Sequence, residues 1–91
     1  MYVVVQHRIK HRQAAFSRAE NIVEDAPPGV RARQFFLSRD LSAATCLWEA
    51  DSVEAVRTYI DSTLAESSEN SYFEVATERA FGLPERVTTG A

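Results

Sequence analysis

Apolar and polar positions along the chain fall into six segments of distinct period. Tyr2 to Ile9, YVVVQHRI, is a β-branched run that passes into alternation, which predicts a strand. Val3, Val5, His7 and Ile9 share one face of it, and Tyr2, Val4, Gln6 and Arg8 the other. The period then lengthens: Ala15, Phe16, Ala19, Ile22 and Val23 form an apolar stripe at helical spacing, ended by Pro27, Pro28 and Gly29. Arg31 to Ser38 predicts a second strand, with Arg33, Phe35 and Leu37 on one face and Ala32, Gln34 and Phe36 on the other. SRDLS, from Ser38 to Ser42, is a polar hairpin connection, and Ala43 to Ala50 a third strand. Asp51, with Glu54 three residues on, makes an Asp variant of the capping box and opens a second helix. Its buried stripe is Val53, Val56, Ile60 and Leu64, with Tyr59 at the margin. ESSENS, from Glu66, closes that helix. Tyr72 to Ala76 is the fourth strand, with Tyr72 and Glu74 on one face and Phe73 and Val75 on the other.

The order β-α-β-β-α-β with right-handed crossovers predicts a ferredoxin-like α+β fold, a four-stranded antiparallel sheet with both helices on one face. Residues 1–83 form this domain, and PERVTTGA, residues 84–91, is expected to be a flexible tail or a dimer arm. Two helices leave one sheet face open, yet both faces carry large apolar side chains, Tyr2, Val4, Phe35, Phe36, Leu47 and Trp48 among them. The open face is therefore expected to pack against a second copy, giving a homodimer with a ligand cleft between the sheets.

Composition narrows the partners. The chain has 91 residues with 45% hydrophobic and 25% charged, an ordinary globular balance for one domain. A net charge of -3 and three glycines speak against nucleic acid and against a phosphate-cradling loop. No run approaches the roughly 18 apolar residues of a membrane span. The N-terminus has no basic segment leading into a long apolar stretch, and Cys46 is the single cysteine, so a cytoplasmic location is expected. Charge is uneven: seven basic residues stand against four acids through Asp40, and three against nine beyond it.

The stretch CLWEADSVEAVRTYI, Cys46 to Ile60, resembles small bacterial ferredoxin-like proteins that include nickel-binding members, in which a strand ending Cys-aliphatic-x-acid-Ala leads into a helix opening Ser-x-x-Ala-Val/Ile-Arg. The order of elements fits over about the first 76 residues. More broadly the chain is similar to the dimeric α/β-barrel superfamily, which includes monooxygenases, haem-degrading enzymes, isomerases and stress proteins; so wide a group transfers fold better than function. The resemblance implies His7 as a metal ligand. Nickel-binding relatives place a further histidine before the last strand, where this chain has Ser67, Ser68, Glu69 and Asn70.

The only two histidines, His7 and His11, are four residues apart. On a helix such a pair can share a metal, but along a strand it spans about 13 Å, beyond joint chelation. His7 reads as a partly buried imidazole serving the core, a ligand pocket or a metal, and His11 as a surface residue at the start of the first helix. Cys46 sits within a strand away from cationic neighbours, which suits an inert buried thiol; paired with His7 across adjacent strands it would offer two ligands to a soft metal. Trp48 shares its face. Glu49, Tyr72, Glu74, Gln6, Arg8 and Gln34 take alternate strand positions and become pocket groups if that face closes on a second subunit. A Trp, His and Asn pocket of the monooxygenase kind is not expected, because Asn21 falls in a helix and Asn70 in a connection.

The expected function is binding of a small ligand or a divalent metal, nickel included, in a cleft formed on dimerisation. His7, Cys46, Trp48, Glu49, Tyr72 and Glu74 would line it. A cofactor-independent monooxygenase or isomerase is the alternative, and a purely structural protein the third reading.

Overall fold

Residues 1–84 are described by the structure, a computed structural model. The strands are β1 (Tyr2–Ile9), β2 (Arg31–Leu37), β3 (Ala43–Glu49) and β4 (Ser68–Glu74); the helices are α1 (Arg12–Arg18) and α2 (Val53–Leu64). One antiparallel sheet runs in the order β2-β3-β1-β4, so the α+β ferredoxin-like expectation holds. Among the described residues no helix is long and apolar enough to cross a membrane.

The face of the sheet that carries Val3 and Val5 is the covered one. Val3, Val5, Cys46 and Trp48 pack there against Val56, Ile60 and Leu64 of α2, three positions of the expected stripe, while Val53 packs from the margin. Val3, Val5, Val56 and Ile60 are fully buried, and each such aliphatic contributes on the order of 1.5–3 kcal/mol of apolar transfer.

Strands β2, β3 and β4 end at Leu37, Glu49 and Glu74, short of the expected Ser38, Ala50 and Ala76, and three further boundaries differ from the sequence expectation. The stripe from Ala15 to Val23 becomes helix only as far as Arg18. Beyond it the chain turns irregularly, with Ile22 N–H donating to the Ala19 carbonyl (3.1 Å) and Asp25 N–H to that of Asn21 (2.9 Å). Ile22 still reaches the core, whereas Val23 is exposed. The cap of α2 is Ser52, one residue later than Asp51: Ser52 is extended and its Oγ accepts from Ala55 N–H at 3.1 Å. Pairing of the strand ends sets this offset, since Ala50 N–H still bonds the Met1 carbonyl (3.0 Å). Glu54 pairs with Arg57 instead of reaching back. Finally, β4 begins at Ser68, four positions before Tyr72, because Ser68, Glu69, Asn70 and Ser71 all find register partners on β1.

The SRDLS connection is a tight loop built on Asp40. Its Oδ1 accepts from Ser42 Oγ (2.7 Å), Ser38 Oγ (2.8 Å) and Ser42 N–H (3.0 Å), steadying Leu41 at a positive φ of 66°. Those bonds, from Ser42 first and then Ser38, hold the Asp40 carboxyl down at about 2.

After β4 the chain turns back toward Tyr2 and β2. Tyr2 Oη donates to the Pro84 carbonyl at 3.5 Å, and Gln34 Nε2 to that of Gly82 at 3.3 Å. The tail expected over residues 84–91 lies, past Pro84, outside the described residues.

Candidate functional site

β1 runs between β3 and β4, so a residue at its centre has a neighbour on either side. His7 stands opposite Ala44 on β3 and Asn70 on β4. Its ring is 8% exposed, as the alternation predicted, and both nitrogens are engaged: Nδ1 lies 2.7 Å from Asn70 Oδ1 and Nε2 3.0 Å from Cys46 Sγ.

The partners fix the proton positions. Asn70 Nδ2 donates to Asp61 Oδ1 (3.3 Å), an acceptor-only carboxylate, which turns Asn70 Oδ1 toward His7 and Ser68 Oγ (2.8 Å). His7 therefore carries its hydrogen on Nδ1, and the free Nε2 lone pair accepts from the Cys46 thiol. Trp48 Nε1–H donates to the same sulfur at 3.1 Å. Burial lowers the His7 pKa from 6.5 against the opposing Asn70 bond, and pushes the Cys46 thiol up to about 11 against the Trp48 bond. Both effects keep the pair uncharged at neutral pH.

Around this cluster the walls are apolar. His7, Cys46 and Trp48 form the floor of a cavity of about 390 Å³, with Ala15, Phe16 and Ile22 on the helical side and Phe35 and Leu37 on the β2 side. Its helical wall comes from α1, only seven residues long, and from the turns that follow it. Phe16, Val23, Phe35 and Leu37 are exposed where they line it. Trp48 is held edge-on to Tyr59, with centroids 5.9 Å apart, and Tyr59 Oη donates to the Ile22 carbonyl at 2.6 Å. That bond ties the turns after α1 to α2.

The six side chains expected to line one cleft are thus divided. His7, Cys46 and Trp48 line the cavity beneath the helices, on the face opposite the one expected to meet a second copy. Tyr72 lies on the same face, half-buried, where its hydroxyl donates to Asp61 and Arg57 stacks 5.2 Å from its ring centre. Burial and the Asp61 bond raise its pKa. Glu49 and Glu74 stand elsewhere, on a separate cleft of about 670 Å³ with Met1, Tyr2 and Pro84. Glu49 is also paired with Arg33 at 3.1 Å. Gln6 is exposed, and Arg8 meets Glu69 at 3.6 Å in an exposed pair worth little. His11 occupies the N-cap of α1 without a side-chain cap bond.

Asn70 is the residue that sequence reasoning misplaced. It lies on β4 and bonds His7 Nδ1, the ring nitrogen that does not meet Cys46. The signal was available in the spacing of Ser68, Asn70 and Tyr72, alternate residues on one face, but no apolar side chain marks it. For a divalent metal the cluster offers His7 Nε2 and Cys46 Sγ, two donors where four are usual. Among the described residues no group of three His, Cys, Asp or Glu side chains converges. A metal here would need ligands beyond these two.

No protein-family model and no curated protein matches the chain. Among solved structures it is similar to the protein SCO4226 from Streptomyces coelicolor A3(2), at 20% identity and a TM-score of 0.56, over 84% of this chain and 96% of that one. It is also similar to protein Atu4242 from Agrobacterium tumefaciens, at 14% identity and a TM-score of 0.48, over 92% and 98%. At these identities the first likeness shows the fold.

Proposed function

We propose that this protein binds a small, neutral, predominantly apolar organic molecule in the cavity above His7, Cys46 and Trp48. The carrying observation is the cavity itself: about 390 Å³ of space, within the usual range of ligand pockets, walled by apolar side chains around a few convergent polar groups. No buried side-chain polar atom among the described residues lacks a partner, so the floor has no unpaired charge to offer an ion. Nickel or another divalent metal would find only His7 and Cys46 here, and the lining favours an organic occupant. A homodimer remains part of the proposal, formed through the outer sheet face where Phe36 and Phe73 are exposed.

Binding of 1-aminoanthracene, a neutral fluorescent probe, tests the reading. Trp48 is the only tryptophan and sits in the cavity floor, so its emission should be quenched with saturation at one probe per chain. Ala44→Phe, which fills the cavity, should weaken binding at least about tenfold, the loss of roughly 1.4 kcal/mol, with an unchanged circular dichroism spectrum. Unsaturable binding, or binding indifferent to Ala44→Phe, would overturn it. The hydrogen-bonded series Cys46, His7, Asn70 favours a second reading, chemistry on the bound molecule; release of an altered ligand rather than its retention would establish it.

A further inference from the structure

Cys46, His7 and Asn70 form a hydrogen-bonded series whose polarity is that of a nucleophile, its base and the group that orients the base. The thiol donates to His7 Nε2 (3.0 Å), and His7 Nδ1–H donates to Asn70 Oδ1 (2.7 Å). Asn70 is held in turn by Ser68 and Asp61. A fourth group completes the set, the indole N–H of Trp48, which meets the sulfur at 3.1 Å and stabilises any negative charge that builds there. Cys46, His7 and Trp48 line the same apolar cavity, and Asn70 acts on it through His7. Resting on the binding proposal above, we infer that Cys46 is a nucleophile that captures apolar α,β-unsaturated carbonyl compounds as covalent thioether adducts.

The choice of electrophile follows from the lining. A neutral, polarizable sulfur in an apolar space suits a soft carbon centre, and conjugate addition spreads the developing charge over the enolate. Acyl transfer would instead concentrate it on one oxygen and call for a set of free donors, whereas the polar groups of this floor are bonded to one another. In the step, the sulfur electron pair forms a C–S bond to the β-carbon as the C=C π pair moves into the enolate. The thiol proton passes to His7 Nε2, and the imidazolium, still bonded to Asn70, returns it to the α-carbon. S–H and C=C become C–S and C–H, with no oxidant or leaving group. Capture is stoichiometric. The titratable groups around His7 are Cys46 on β3, Tyr72 on β4 and Asp61 on α2, the last reached through Asn70; Arg18 of α1 is engaged by the Leu64 carbonyl.

Phenyl vinyl ketone is the probe, with adduct formation followed by intact-mass spectrometry at neutral pH. Because burial raises the Cys46 thiol pKa, any advantage over an unstructured peptide containing one cysteine must come from binding: the full-length protein should form one adduct, absent in Cys46→Ser, at a rate that saturates with probe concentration, where the peptide's rate stays linear. His7→Ala should slow it at least tenfold, and added imidazole should restore part of the rate by occupying the vacated space, a rescue that a merely structural histidine would not show. Should His7→Ala fail to fold, Asn70→Ala should lower the rate in its place. An adduct in Cys46→Ser, a rate that stays linear in probe concentration as the peptide's does, or variants as fast as the parent would overturn the inference. Protein that binds 1-aminoanthracene but forms no adduct would refute the nucleophile and leave the binding proposal standing; failure of both would refute both.

Discussion

His7 is buried in its neutral form, and that has a consequence for stability. Burial depresses its pKa below 6.5, so as pH falls through 6.5 the unfolded chain takes up a proton that the folded chain does not. Stability is complete above 6.5 and is lost as pH drops, until the depressed folded pKa is passed. Thermal melts between about pH 8 and pH 5 should show the wild type losing more of its Tm than His7→Gln, which keeps a polar amide but cannot titrate. Equal losses in the two proteins would exclude His7 as the cause. Alternation along YVVVQHRI already placed this side chain inside, and adjacency of the first and third strands allowed its pairing with Cys46; both are found. Its second partner, Asn70, left only a faint trace, its alternation with Ser68 and Tyr72. A run such as SENS has no apolar member to betray a strand, and only pairing with β1 makes it one.

At the scale of elements, α2 tests how a boundary is chosen. Asp51 and Ser52 are both good N-cap residues, and local preference does not separate them. The hydrogen bond between Ala50 N–H and Met1 carries strand pairing past Glu49, which moves the first helical turn onward and leaves Ser52 extended at the cap. Ser52→Ala should cost about 1 kcal/mol in urea denaturation and Asp51→Ala less than about 0.5 kcal/mol. The reverse order would restore Asp51 as the cap. The first helix shows the opposite failure of local reading. Its stripe is continuous to Val23, but the helix stops at Arg18, and only Ala19 and Ile22 of the remainder pack on the core.

For the whole molecule, the outer face of the sheet sets the expectation. Phe36 is 63% exposed and Phe73 50%, on strands whose other faces turn toward the helices. Burying such a ring is worth on the order of 2 kcal/mol, which favours a partner, and a second copy is the one always present. Sedimentation at micromolar concentration is expected to give a dimer, and Phe73→Glu to shift it to monomer while leaving 1-aminoanthracene binding intact, since the cavity lies on the opposite face. A monomeric wild type would refute the dimer; loss of binding in the variant would place the cavity under its control.

Chain periodicity determined the order of elements, the α+β class, the inward faces of β1 and α2 and the burial of His7. Each depends on which side chains fall on one side of a strand or helix, and that is fixed by spacing alone. The tertiary structure decided what spacing leaves open: the start of β4 at Ser68, the end of α1 at Arg18, and the distance of Glu74, paired with Val3 at the other end of β1, from His7. These depend on register between distant segments, where a polar strand gains its hydrogen bonds only from a partner already in place. The cavity belongs to this second class, because its walls are brought together from the sheet, α1, the turns after it and α2.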